Sequence, residues 1–209
     1  LNSEAAGALL LPTMLPLSEA CERNKAPILA VLRIALAERV QVLEIGSGTG
    51  QHAVYFAAQM PHLTWYPTEQ LAYLPDLAAR VKLEGGPNLR APTLLDVNQT
   101  VWPLRKVDAV FTANTLHIMS WSDVTAMYRG LDSVLAPRGV LCMYGPFRYG
   151  GAYTSQSNRD FDTMLGERDP LSGLRDMQAL TSLGLQHGLR LQMDHDLPAN
   201  NRLLLWIKD

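Results

Sequence analysis

Two cysteines in 209 residues, Cys21 and Cys142, leave no material for a disulfide framework, and neither has neighbours at metal-ligand spacing. They read as buried thiols in a reducing compartment, so a cytoplasmic protein is expected. The five histidines are equally scattered, with no pair at i, i+4, and no metal site is expected. An excess of one charge is missing too. The 20 acidic and 18 basic side chains are interspersed and give a net charge of −2, so the electrostatic footprint for duplex nucleic acid is absent. No apolar run has the length of a membrane span. Leu9-Leu10-Leu11-Pro12 is too short and too broken by proline for a span or a signal-peptide core. Internal repeats and low-complexity tracts are also lacking. What remains, at 47% hydrophobic, is enough apolar surface for one good core: a single domain over 1–209, with 1–17 as a flexible lead.

Within that domain the most informative stretch is Val42-Leu43-Glu44-Ile45-Gly46-Ser47-Gly48-Thr49-Gly50, a buried strand running into three alternating glycines. Such glycines permit a tight turn, close approach of a ligand and close packing of the next helix. No Lys follows, so it is not a phosphate-cradling P-loop. The third glycine comes one residue too early for a dinucleotide fingerprint, and Glu44 would repel a pyrophosphate. A carboxylate there suits a cationic ligand instead. The loop resembles motif I of class I S-adenosylmethionine-dependent methyltransferases, Glu/Asp-x-Gly-x-Gly-x-Gly. That resemblance makes S-adenosylmethionine the expected cofactor, with Glu44, Gly46, Ser47, Gly48, Gly50, Gln51 and His52 as candidate contacts.

Downstream spacing is consistent. A strand over Leu63–Thr68 leads to Glu69, about 20 residues beyond the loop, where an acid takes ribose hydroxyls in nucleotide-binding βαβ units. Pro67 is expected to end or bulge that strand. After a third strand, Thr93–Leu95, the methyltransferase resemblance implies that Asp96 accepts from the adenine amino group and that the Val97 amide completes adenine recognition. A turn-capping Asp96 is the bland alternative. The fourth strand, Val107–Asn114, ends at Asn114-Thr115-Leu116-His117, where this superfamily places residues beside the transferred methyl group.

Helices are expected at Ser18–Ala37, kinked or restarted at Pro27, and at Gln51–Gln59, Pro75–Leu83, Ser122–Leu135 and Asp176–Leu183. Gly139–Tyr144 is the fifth strand, after a helix stop at Pro137-Arg138-Gly139. Leu189–Asp194 and Arg202–Ile207 close the chain as a hairpin. The alternation predicts an α/β fold: a Rossmann-like, doubly wound, seven-stranded, mostly parallel sheet with a C-terminal antiparallel hairpin.

Ligands of such sheets sit at the carboxyl ends of the strands. The first helix reaches back to that edge, bringing Glu22, Arg23 and Asn24 near the pocket, and the hairpin loop brings Asn200 and Asn201. Glu22-Arg23-Asn24-Lys25, Ser157-Asn158-Arg159-Asp160-Phe161-Asp162, Glu167-Arg168-Asp169-Pro170 and Pro198-Ala199-Asn200-Asn201 resemble the signatures of a largely uncharacterised family of methyltransferase-like proteins. The resemblance runs from about Ser18 to Lys208 and implies a fold and a cofactor, not a substrate. The polar segment 148–172 reads either as a surface excursion or as a lid. In a lid, Asn158, Arg159 and Arg168 would meet the acceptor and Tyr149 and Tyr153 would wall it.

His117 is the candidate base, and Arg23, Asn24, Arg159 and Asn200 are candidates for positioning a small-molecule acceptor. Glu22 and Tyr144 are weaker candidates for the base. The strand-four sequence lacks Asn-Pro-Pro-Tyr, which disfavours adenine-N6 and glutamine acceptors. Two other classes remain: a catalytically silent cofactor-binding module acting through a protein partner, and an NAD-dependent oxidoreductase, which the misplaced glycine disfavours.

Overall fold

The computed structural model describes residues 15–104 and 106–209. Most of the lead expected over 1–17, including Leu9-Leu10-Leu11-Pro12, lies outside the described residues. What is described of it is held: Arg80 Nη2 donates to the Pro16 carbonyl at 2.6 Å.

Seven strands form the main sheet in the order β3 (Thr93–Leu94), β2 (Thr64–Glu69), β1 (Gln41–Ile45), β4 (Val107–Ala113), β5 (Leu135–Gly145), β10 (Asn201–Lys208) and β9 (Leu189–Leu197). Pairing is parallel from β3 through β5. β10 then runs antiparallel to both β5 and β9. This is the doubly wound sheet with a closing hairpin that the sequence predicts. Alternation along β1 divides the core in two. Val42 faces one layer with Ile28 and Leu32 of α1 (Glu19–Ala35) and Phe56 of α2 (Gln51–Gln59). Leu43 and Ile45 face the other, with Met127 and Leu131 of α4 (Trp121–Val134) and Leu180 of α6 (Met177–Gln186). The remaining helices are α3 (Leu74–Glu84) and α5 (Gln156–Arg168).

Three local expectations need correction. Pro27 does not restart α1, which runs through it with Ile28, Leu29 and Leu32 buried against the sheet. Nor does Pro67 end β2, where it pairs opposite Glu44. Trp65, which faces the same way, donates to the Asn88 carbonyl, so the Pro67 nitrogen points to the β3 side. Pairing with β3 begins only at Thr68, so no ladder donor is missed. The helix stop at Pro137-Arg138-Gly139 is instead part of β5, which starts at Leu135 and absorbs a register shift opposite Val107 and Ala109.

Residues 148–172 are not a structureless connection. They contribute to a second sheet, β7 (Ala152–Tyr153), β6 (Phe147–Tyr149) and β8 (Arg175–Asp176), and contain α5, capped by Ser155 Oγ accepting from the Asn158 amide. Among the described residues no helix is long and apolar enough to cross a membrane.

Candidate functional site

The carboxyl edge of the sheet opens into a cavity of about 970 Å³, near the upper limit for small-molecule sites. Its floor is the glycine loop. Gly46, at φ +70°, could not carry a side chain, since a Cβ would stand 2.8 Å from Thr115 Oγ1. A Cβ on Gly48 would meet nothing within 4 Å, because the space beside it is the cavity itself. The loop is pinned by the Ser47 amide donating to the Thr68 carbonyl at 2.9 Å. Glu69 crosses from the end of β2 and accepts from the Gly48 amide at 2.6 Å and, through its other oxygen, from the Gln70 amide at 2.8 Å. Each oxygen keeps a lone pair. Ser47 Oγ is buried behind this wall, beside the Glu44 carboxylate. Leu95, Val97 and Asn114, the last in the left-handed region at φ +56°, complete the half of the cavity nearest the loop.

The other half is walled by α1, α5, the ends of β4 and β5, and the β9–β10 turn. Arg23 and Asn24 of α1 line it, as expected, because the helix carries its first turns back to the ligand edge. Asn24 is buried. Its Oδ1 lies 2.7 Å from His52 Nε2, which places a proton on that nitrogen and leaves Nδ1 facing Cys21 Sγ at 4.0 Å. Burial pushes His52 down to about 4, so the ring is neutral. The Asn24 amide also contacts the Tyr144 hydroxyl, whose pKa is raised, chiefly by burial. His117 lines the cavity with its ring edge-on to Phe161, centroids 5.2 Å apart. Burial and then the nearby Arg175 cation push it down to about 4, against a smaller opposing pull from Asp162. Asn158 donates through Nδ2 to Thr154 Oγ1 at 2.8 Å and to the Asn200 carbonyl at 3.0 Å, tying α5 to the hairpin turn across the cavity.

Of the residues singled out in the sequence, Arg23, Asn24, Gly46, Ser47, Gly48, His52, Glu69, Val97, Asn114 and His117 line the cavity. Glu22 and Arg168 do not, and neither do Glu44, Gly50, Gln51, Asp96, Arg159 and Asn200, each of these for a local reason. Glu44 alternates away from Ile45 into the layer of Trp65, where it is 2% exposed and accepts from Trp65 Nε1 at 2.8 Å. Burial pushes it up to about 7. Gly50 serves helix packing: a Cβ there would strike Leu77 Cδ1 at 2.8 Å. Gln51 fastens α2 to α1, accepting from the Ser18 amide and donating to Glu22 Oε1. Asp96 closes its own turn by accepting from the Asn98 amide at 2.9 Å. Arg159 lies over the Tyr153 ring, one position past the buried Asn158. Asn200 donates through Nδ2 to Ser157 Oγ, while its neighbours Ala199 and Asn201 line the cavity.

Tyr149 and Tyr153 are not aromatic walls either, since they donate to Asp194 and Asp162. Sequence reasoning missed Cys21 and Phe161 as cavity residues. The Phe161 signal was its i, i+3 spacing from Asn158, readable only once 156–168 is known to be helical. Among the described residues no cluster of three or more His, Cys, Asp or Glu could hold a metal ion.

Solved structures share this architecture at low sequence identity. An O-methyltransferase family protein from Burkholderia thailandensis matches with a TM-score of 0.78 at 14% identity, covering 91% of this chain and 57% of that one. Human N-acetylserotonin methyltransferase, solved with SAM, matches at 0.76 and 14%, covering 91% and 53%. Mitomycin 7-O-methyltransferase MmcR matches at 0.75 and 15%, covering 90% and 54%. This chain thus spans little more than half the length of each. What they share with it is the fold of S-adenosylmethionine-dependent methyltransferases. At the level of sequence, a family model matches residues 15–208, and the chain belongs to that family, described as a protein of unknown function, DUF938.

Proposed function

We propose that the chain binds S-adenosylmethionine across the ends of β1 to β4 and transfers its methyl group to a small-molecule acceptor held under α5. The observation that carries this reading is the Glu69 carboxylate fixed on the glycine loop in the wall of a cavity that extends well beyond it. Two features of the wall fit the cofactor: the space left beside Gly48 and the free lone pairs of Glu69 for ribose hydroxyls. Glu44 no longer belongs to this set, since its carboxylate is spent on Trp65. When bound, S-adenosylmethionine supplies an electrophilic methyl group on a sulfonium.

The chain's own residues do the rest. Glu69 orients the ribose, and Asn114 with the loop amides holds the amino-acid end. Phe161, Pro146 and Tyr144 keep water from the far half. His117, neutral and buried, takes a proton or a hydrogen bond from the acceptor. Among the described residues the acids that line the cavity are Glu69, at the end of β2, and Asp76, in α3. Among the described residues the acceptor half thus offers no carboxylate to a cationic amine, and a neutral hydroxyl, thiol or heterocycle suits the groups described there.

S-adenosylmethionine and S-adenosylhomocysteine should each raise the melting temperature, whereas NAD and ATP should not. Ligand at 100 times its dissociation constant adds about 2.7 kcal/mol of stability. An equal shift with NAD, or none with S-adenosylmethionine, would overturn the cofactor reading. Normal affinity without turnover across a broad acceptor panel would favour the silent binding module instead.

A further inference from the structure

His117 owes its position to a residue far along the chain. After β4 the backbone turns through Leu116, His117, Ile118 and Met119, and it has few bonds of its own to hold that shape: the Thr115 carbonyl accepts from the Ile118 and Met119 amides. The rest comes from the segment around β8. Arg175 Nε donates to the Leu116 carbonyl at 2.9 Å, and Nη2 donates to the carbonyls of Met119 and of Leu171, the last at 3.1 Å. The Gly173 amide donates to the His117 carbonyl at 2.8 Å. Three carbonyls thus converge on one guanidinium, and a fourth, that of His117 itself, is held two residues away.

We propose that Arg175 is a positioning residue for the cavity, its fork closing the turn that aims the His117 ring at the acceptor. The fork geometry matters, because a lysine could not reach carbonyls on both sides of the turn at once. Arg175 is itself anchored by pairing between β8 and β6, where it stands opposite Phe147. The small sheet is thereby tied to the His117 turn.

The same cation acts on the ring electrostatically. The charged groups around His117 are Arg175 from β8 and Asp162 from α5. Asp162 acts on Arg175 as well, ahead of Arg148 of β6 and Asp123 of α4. Arg175 opposes protonation of the ring and Asp162 favours it. Removing the cation while leaving the turn intact should raise the proton affinity of His117.

The inference rests on the reading of His117 given above, but one arm of its test does not require turnover. The side-chain resonances of His117 are followed by NMR through a pH titration in the full chain, in wild type, Arg175→Lys and Arg175→Gln. The wild-type ring should titrate near 4. Arg175→Gln should raise the midpoint, and Arg175→Lys should leave it low. In the methyl-transfer assay both should lower kcat at least tenfold with little change in S-adenosylmethionine affinity, since neither touches the glycine loop. Thermal unfolding of each variant establishes that it is folded.

An unchanged His117 midpoint in folded Arg175→Gln overturns the electrostatic part. Wild-type turnover in folded Arg175→Lys overturns the positioning part. Failure of the wild type to turn over any acceptor counts against the proposed function alone, because the backbone amide resonances of 116–119 then decide the positioning part: they should shift in folded Arg175→Lys, and unchanged resonances overturn it. If Arg175→Gln does not fold, Arg175→Met and the Arg175→Lys titration take its place, and collapse of all three would show that Arg175 is a fold residue and overturn the proposal.

Discussion

Glu44 shows how far a single residue can be read before its neighbours are known. Its place before the glycines was visible in the sequence, but its partner was not, because which face of β1 it occupies depends on where Trp65 of β2 falls in the register. A carboxylate that looked suited to a cationic ligand is instead the acceptor for a buried indole. The energetic consequence can be measured. Its pKa in the folded protein is raised from 4.5 to about 7, so the folded state holds a proton that the unfolded state releases between those values. Stability on this account is highest below pH 4.5, falls as the pH rises to about 7, and is level above that. At 1.36 kcal/mol per pKa unit the loss is on the order of 3 kcal/mol. Glu44→Gln keeps an oxygen for Trp65 and should abolish that fall. Denaturant unfolding at pH 5 and pH 8 should show the variant gaining on the wild type as the pH rises, and a constant difference would refute it. His117 carries a related lesson. An unperturbed ring titrates near 6.5, which is what the sequence suggests, and only the packed cavity, with Phe161 on the ring and Arg175 behind it, reveals a midpoint near 4.

Among the elements, those with apolar periodicity were legible and those without it were not. β1, β4, α2 and α4 were placed to within a few residues because β-branched runs and an apolar stripe mark them. α5 was hidden because it buries only Asn158 and Leu165 of its 13 residues, so its helical period is carried by polar groups. That hidden element is the roof of the candidate site, and of the two neighbours singled out there the helix turns Asn158 to the cavity and Arg159 onto the Tyr153 ring. Packing between elements can also reverse a local preference. Gly130 lies within α4, where alanine would ordinarily add about 1 kcal/mol through helix propensity. A Cβ there would fall 2.1 Å from the Trp102 ring, which is buried at 4% exposure and has no room to retreat. Gly130→Ala should therefore destabilise the fold by roughly 1–3 kcal/mol, read as a lower denaturant midpoint at unchanged m-value. A gain in stability would mean that Trp102 can move aside.

For the whole molecule the telling feature is that β10, though last in sequence, is not at the edge of the sheet but between β5 and β9. It supplies Leu203, Leu204 and Trp206 to the two core layers, each fully buried. Truncation after Gly188, which removes both β9 and β10, should therefore abolish cooperative unfolding rather than trim an edge. A sharp calorimetric transition in the truncated chain would refute that. The cavity has the same dependence on distant segments, because its walls include Pro16, Arg23 and Asn24 near one extreme of the described chain and Pro198, Ala199 and Asn201 near the other. A domain that emerges from the ribosome in sequence order can assemble its glycine loop early, from β1, β2 and β4. The roof tie from Asn158 to the Asn200 carbonyl can form only after the final hairpin has left the exit tunnel. During synthesis the glycine loop is thus present before the far wall of the pocket exists, and the pocket is complete only once the hairpin turn around Asn200 has emerged.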